Sequence, residues 1–371
     1  MRSLTDLQTD KVLNLRLEDN VLISQSGKLG KLKETSKEFS SKNEAKKALV
    51  KKEWEALKKG FVLRNLNAKK GEATLHKFIG GGYTGALAFE SIGDEIFIYK
   101  SSNQSDYLAV IDKLGKNLRE IALPKPLAWS INRQNENLLM DLDHDIFRYE
   151  IKQNSFKNLS EILSCDDEDK SVFMGFADSK KDKIVILSRG KIFITNLKDE
   201  ILLTRDYKTT TINGKIPFCA AVSADASLLA LHTNLNEIKL IDTKSGKVVS
   251  EISTRFKRIE HMKFVREDKF IVFVARDEFI RTKVVCVKID SGDEVQSISA
   301  NLEEITSICV SDEGDRLAVI DGLRAYVFSA LNFKELLNFE LEHIVKSCEA
   351  KFIDGNLGVR TDYGCFSIYK I

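Results

Sequence analysis

"AVSADASLLALHTNLNEIKLIDTKSGKVVSEI", residues 221–252, decides the fold. Its apolar runs, "LLALH", "EIKLID" and "KVVSEI", are each too short for an ordinary helix and are separated by Ser, Asn, Asp, Lys and Gly turns. The stretch therefore reads as four short antiparallel strands. One such unit cannot bury both of its faces, so it requires stacked neighbours of the same kind.

Neighbours of this kind recur along the chain. One anchor per unit gives Phe89, Trp129, Phe176, Val222, Phe264, Val310 and Phe352, spaced 40, 47, 46, 42, 46 and 42 residues apart. That period belongs to propeller blades. Third strands end in an apolar residue followed by a polar one: Ile111-Asp112, Tyr149-Glu150, Thr195-Asn196, Ile241-Asp242, Ile289-Asp290, Phe328-Ser329 and Tyr369-Lys370. Residues 221–252 and "ICVSDEGDRLAVIDGLRAYVF" (308–328) resemble WD repeats in which the terminal Trp-Asp has become Ile-Asp or Phe-Ser. The resemblance implies a mainly β fold, a seven-bladed WD-like β-propeller.

The last unit has three strands, and "EATLHKF" (72–78) is an outer strand without a blade. Residues 72–79 are therefore expected to close the C-terminal blade, 347–371, and so to remove the ring's open edges. The next stretch, "GGGYTGALAF" from Gly80, satisfies G-x-G-x-x-G through Gly80, Gly82 and Gly85. A dinucleotide loop needs a helix after the glycines, because its free N–H groups hold the pyrophosphate. Here an aromatic and β-branched strand follows, so the glycines read as the connection from the closing strand to the first inner strand.

Residues 1–64 break the β-only pattern and form a small α+β domain, with 65–71 as linker and 72–371 as propeller. "DKVLNLRLEDNVLISQSGKLG" reads as a hairpin turning at Asp19-Asn20, with apolar alternation at Val12, Leu15, Leu17, Val21 and Ile23. A lysine-rich connection follows. Ser41 and Glu44 then form a capping box, Lys58 and Lys59 favour a helix C-terminus, and Gly60 supplies the left-handed cap, predicting a helix over 42–59. Ala45, Ala48, Leu49, Ala56 and Leu57 make its apolar face. Trp54 lies off that face and is expected to pack on the propeller, and the blade anchors, including Trp129, are expected in the core.

This stretch resembles the WGR domain, in the form found in bacterial proteins similar to the molybdate-metabolism regulator. "SGKLG" (26–30) stands in the place of W-G-R-x-G, and "KEFSSKNEAKKALVKKEWEALKKGFV" carries the family's Phe, small-residue and Lys-Gly-aromatic pattern. WGR domains of poly(ADP-ribose) polymerases contact DNA near a break. The resemblance implies a nucleic-acid site at Gly27, Lys28 and Gly30, with Lys28 in the arginine's position and Ser26 in the tryptophan's. Lysine keeps the charge without the planar fork, and serine offers no stacking ring. Lys31, Lys33 and Lys37 extend the site. Residues 1–71 hold 17 Lys and Arg against 9 Asp and Glu, while the remainder holds 40 against 46, so a basic module sits on a mildly acidic body.

The reading is a non-catalytic adaptor whose module contacts DNA or RNA and whose propeller loops and faces bind other proteins. Two alternatives stand beside it: a protein-interaction scaffold without nucleic-acid contact, and a hydrolase using the propeller channel. The acidic run Asp166, Asp167, Glu168, Asp169 lacks the spacing of a calcium loop and reads as a solvated connection. The five histidines share no motif with a nucleophile or a carboxylate pair, and the six cysteines form no C-x-x-C pair. No cofactor and no metal ligand set is expected. Five of the cysteines lie in strand-like runs, which points to a reducing cytoplasm. No leader or membrane span is expected.

Overall fold

The computed structural model describes residues 1–28, 30–80, 85–102, 105–163, 176–188, 190–208, 218–276, 282–298, 302 and 304–371. It is a mainly β structure: a β-propeller of six four-stranded antiparallel blades, a nine-stranded sheet, and one helix. The sequence sets the layering within each blade. Second strands such as Glu95–Lys100 (EIFIYK) and Lys183–Ser188 (KIVILS) are apolar on both faces and buried on both. Outer strands such as Asn117–Ala122 (NLREIA) alternate poorly and lie largely in water. Side chains of adjacent blades interdigitate; Phe97, Tyr99 and Leu108 of the first blade pack with Ile131, Leu138 and Met140 of the second. Each such buried side chain stabilises the ring by about 1.5–3 kcal/mol. The innermost strands touch in series, and Cys348–Ile353 returns to Phe89–Ile92, which closes the ring.

The N-terminal elements are β1 (Arg2–Asp6), β2 (Lys11–Glu18), β3 (Val21–Lys28), β4 (Lys31–Glu38), α1 (Lys42–Lys58), β5 (Phe61–Arg64) and β6 (Ala73–Phe78). In the nine-stranded sheet, Cys348–Ile353, Asn356–Thr361 and Cys365–Tyr369 are followed by β6, β5, β1, β2, β3 and β4. The expected pairing of "EATLHKF" with the C-terminal unit is present: Ile368 faces Leu75, Phe366 faces Lys77 and Cys365 faces Phe78. β6 also pairs on its other edge, with Leu63 opposite His76 and Val62 opposite Lys77. Residues 65–72 form a turn held to the propeller by Asn65 N–H to Thr74 O (2.9 Å) and Gly71 N–H to Lys370 O (2.8 Å). One apolar cluster runs through both parts, joining Leu4, Leu15, Leu49 and Leu57 to Phe339, Leu357 and Tyr369.

Gly80 and Gly85 both adopt positive φ, +79° and +80°, and the next element is the strand Phe89–Ile92. Gly82 lies outside the described residues, as do Cys165, Pro217 and the acidic run 166–169. Arg360, fully buried, donates to the carbonyl of Gly80 and so ties the connection to the last sheet. Its Nε and Nη1 have no partner among the described residues, and burial pushes its pKa down to about 10.

Four details differ from the sequence-based expectation. The lysine-rich connection after residue 28 is a strand, β4, because Gly30, at φ +84°, helps return the chain alongside β3 with full pairing from Lys28–Lys31 to Val21–Glu38. The inward face of β2 is Leu13 and Leu15 rather than Val12, since β-strand parity puts Val12 on the opposite side. Ile289 and Asp290 lie beyond their strand, which ends at Lys288. Trp129 is 43% exposed, because a register shift between Ala128 and Ser130 leaves it out of the ladder; its ring stacks near His144. Among the described residues no helix is long and apolar enough to cross a membrane.

Leu75 of β6 is 1% exposed and packs with Val62, Phe366 and Ile368. Leu75→Ala is expected to lower unfolding stability by about 2–5 kcal/mol, measured in urea. Loss of Trp54 fluorescence in a Trp129→Phe background should coincide with loss of far-UV dichroism. A separate, earlier Trp54 transition would contradict a shared core.

Candidate functional site

The basic surface is built by three strands. Antiparallel partners lie on the same face of a sheet, and Lys11 of β2 faces Lys28 of β3, which faces Lys31 of β4. The next rungs along place Lys33 opposite Ser26, and Lys37 opposite Leu22. Five lysines thus share one face, across rows about 4.8 Å apart. This is the same face that carries α1, since Leu13, Leu15 and Leu22 pack with Leu49 and Leu57. The helix covers β2 and β3 but leaves every residue of β4 exposed.

The glutamates of β4 point the other way. Glu34 accepts from Gln25 at 2.8 Å, and Glu38 from Asn20 at 3.2 Å. Among the described residues none of the five lysines has a carboxylate partner within 4.0 Å, and Lys37 sits over the Phe39 ring at 5.1 Å. The result is a water-exposed sheet face rich in lysines that form no close ion pair among the described residues, with Asp6 acting on Lys11 only from a distance. Gly27 is required for it: its φ is +150°, and a Cβ there would lie 2.3 Å from the Lys31 carbonyl oxygen. All the residues singled out from the sequence, Gly27, Lys28, Gly30, Lys31, Lys33 and Lys37, belong to this β3–β4 hairpin. Lys11 completes the row and was not among them, because only the strand register brings it there.

A second polar constellation lies where α1 meets the last sheet. Ser41 Oγ accepts the Glu44 N–H (3.2 Å), and Gly60, at φ +94°, donates to Leu57 O, so α1 begins and ends as its caps require. It then buries Ala45, Leu49, Trp54, Ala56 and Leu57, and with them Glu53. Trp54 packs as expected, stacking on Tyr363 (4.3 Å) and His343 (5.1 Å) and meeting Phe78 edge-on (5.3 Å).

Glu53 Oε1 accepts from His343 Nε2 (2.8 Å), and its carboxylate accepts from Arg2 Nη1 (3.0 Å). Arg2 also reaches Glu342 with Nη2 (2.6 Å), and His76 Nε2 lies 3.1 Å from the other oxygen of Glu342. The environment separates the two imidazoles. Burial opposes charge on His76, but Cys365, Glu342 and Glu53 outweigh it and hold its pKa up at about 10. Burial lowers the pKa of His343, with the positive His76 adding to the effect. Burial also works against the Glu53 and Glu342 carboxylates, yet the His and Arg partners hold both below the ordinary range. Two carboxylates thus balance Arg2 and a protonated His76.

The propeller channel holds a cavity of about 440 Å³ lined by Glu90, Asp178, Lys263, Glu349 and Lys351, among others. Lys351 Nζ spans from the last sheet to Glu90 (2.9 Å) and to the backbone carbonyl of Ile131, linking three inner strands. Burial raises the Glu349 pKa, against Lys351 and Lys263. Histidines do not line this cavity; the pair that meets, His76 and His343, does so at the module junction instead. The buried thiols of Cys219 and Cys286 are pushed up to about 11, and that of Cys309 to about 12, by burial, which keeps them protonated.

No family model matches the chain, and no curated protein is significantly similar to it.

Removing one partner from a buried charged network strands the others. Glu53→Ala is expected to cost about 3–5 kcal/mol, whereas Lys46→Ala, which breaks the exposed Lys46–Glu340 pair, should stay within about 0.5 kcal/mol. Chemical denaturation of both variants checks the ranking; equal effects would contradict it.

Proposed function

We propose that the chain is a non-catalytic adaptor: a WGR-like basic module contacts the phosphate backbone of nucleic acid, and a seven-bladed WD-like propeller presents loops to protein partners. In this reading the last three strands and β6 make the seventh blade. The observation that carries the proposal is the lysine row Lys11–Lys28–Lys31, extended by Lys33 and Lys37, on an exposed face, with no carboxylate within 4.0 Å of any of them among the described residues. Surface cations are ordinarily worth little to stability, so a block of them without close ion-pair partners is better explained by an anionic ligand than by the fold.

The chemistry of the row sets what it can recognise. Lysine offers a compact charge and no planar fork, and Ser26 offers no ring on which a base could stack. Backbone contact without base readout follows, with affinity dominated by counterion release. The propeller contributes a stiff ring from which interblade loops project at both ends. The sheet that runs from β6 into β5 and β1 makes module and ring one lever, so a partner on the ring is held in a set orientation to anything bound at β4. The same continuity favours a second reading, in which the module is a structural extension of a protein-interaction scaffold.

Salt dependence separates the two. If the five lysines each neutralise a phosphate of duplex DNA, log K should fall against log salt with a slope of about −4 to −5. Lys28→Glu with Lys31→Glu should abolish binding while leaving the circular dichroism unchanged. Gly27→Ala, which keeps every charge but displaces the Lys31 backbone, should weaken it as well. Absence of binding to DNA and RNA at low salt would leave the scaffold reading.

A further inference from the structure

Four side chains with metal-binding atoms converge where α1 meets the ring. Glu53 comes from the helix, His76 from β6, and Glu342 and His343 from the segment after the outer strand Glu335–Glu340. One ligand atom each from Glu53, His76 and His343 lie within 4.8 Å of one another, and all three residues are buried. His343 Nε2 is 2.8 Å from Glu53 Oε1; His76 Nε2 is 3.1 Å from Glu342 Oε2 and 3.9 Å from Glu53 Oε1. A four-coordinate ion with bonds of about 2.0–2.1 Å sets its donors roughly 3.3 Å apart. The Glu53–His343 and Glu53–His76 separations, 2.8 and 3.9 Å, lie on either side of that value.

The surrounding groups are those a metal site uses. A ligating histidine fixes its other ring nitrogen on a neighbour, and ligating carboxylates are themselves hydrogen-bonded. His76 Nδ1 lies 2.7 Å from Ser367 Oγ, which orients Nε2 toward the carboxylates. Arg2 holds Glu53 through Nη1 and Glu342 through Nη2 from the outer side. Trp54 fixes the plane of the His343 ring, and His76 meets that ring edge-on at 5.0 Å.

We propose that Glu53, His76 and His343 form a binding site for one divalent transition-metal ion of the zinc class, with Glu342 beside His76 as a supporting carboxylate, and that the ion clamps α1 and the module to the ring. Two imidazoles and one carboxylate supply three ligands and leave the fourth position of a tetrahedral ion to a water, while Glu342, 3.1 Å from His76 Nε2, supports the set from beside it. Two carboxylates, Arg2 and a divalent ion leave one surplus positive charge, and it falls on Arg2, whose side chain is 30% exposed. Nothing in this assignment depends on the nucleic-acid reading.

The test uses the full chain, dialysed against a chelator and titrated with Co2+ and then Zn2+. The expected results are a visible ligand-field band of four-coordinate Co2+ saturating at one equivalent, its displacement by Zn2+, and a melting temperature higher in Zn2+ than in chelator. Glu342→Gln should weaken Co2+ binding at least tenfold, and His343→Asn should abolish the band. Should either variant fail to fold, the wild-type spectrum and the metal-dependent melting temperature decide by themselves. No band at one equivalent, together with identical melting in Zn2+ and chelator, would overturn the proposal. A band that persists in folded His343→Asn protein would overturn it too.

Discussion

The pairing of β6 with Cys365–Tyr369 is the constraint on which the rest of the molecule depends. A propeller whose ends do not meet leaves a sheet with open ladder groups and an unburied face. Here the closing strand precedes the ring in sequence and lies beside its last strand in space, so the two ends of the ring hold each other. Because β6 also pairs with β5, closure extends the sheet into the N-terminal elements, and the apolar cluster follows it across. The module is consequently a continuation of the ring's architecture, with an orientation set by backbone hydrogen bonds.

Charge is handled in opposite ways in the middle of that sheet and at its β4 edge. At the junction Arg2, Glu53, His76, Glu342 and His343 are largely removed from water, and each ionised group has a counter-charge within hydrogen-bond reach. Buried charges without such partners would cost several kcal/mol each. At β4 the lysines stay hydrated, with their own strand's glutamates turned to the other face. Those lysines also guard an open edge: a second copy pairing there would bring like charges together, which is one way native edge strands avoid self-association. A surface that repels its own kind while attracting polyanions suits the role proposed for it.

The particular residues explain how far the chain could be read in advance. α1 was legible because its signals are local: Ser41, Glu44 and Gly60 act within a turn of where they stand. The inner and second strands were legible because blade packing demands apolar residues every 40–47 positions. β4 was not, since a strand exposed on both faces carries no apolar alternation and is held by backbone pairing to β3. Trp129 was misread for a related reason: a bulge moves one residue out of the ladder and leaves no trace in composition.

Glu53, His76 and His343 mark the remaining boundary. A glutamate on a lysine-rich helix looks solvated, and histidines 267 positions apart look unrelated. The amino-acid order alone determined the inner strands of the blades, where the helix starts and stops, the period of the ring and the concentration of positive charge before residue 72, because each of these is set by neighbours a few residues away. Only the tertiary structure decided which face of β2 is inward, that Lys11 joins the lysine row, and that five ionisable side chains meet under α1. Those outcomes depend on strand register and on ring closure, which bring together groups that no local interaction connects.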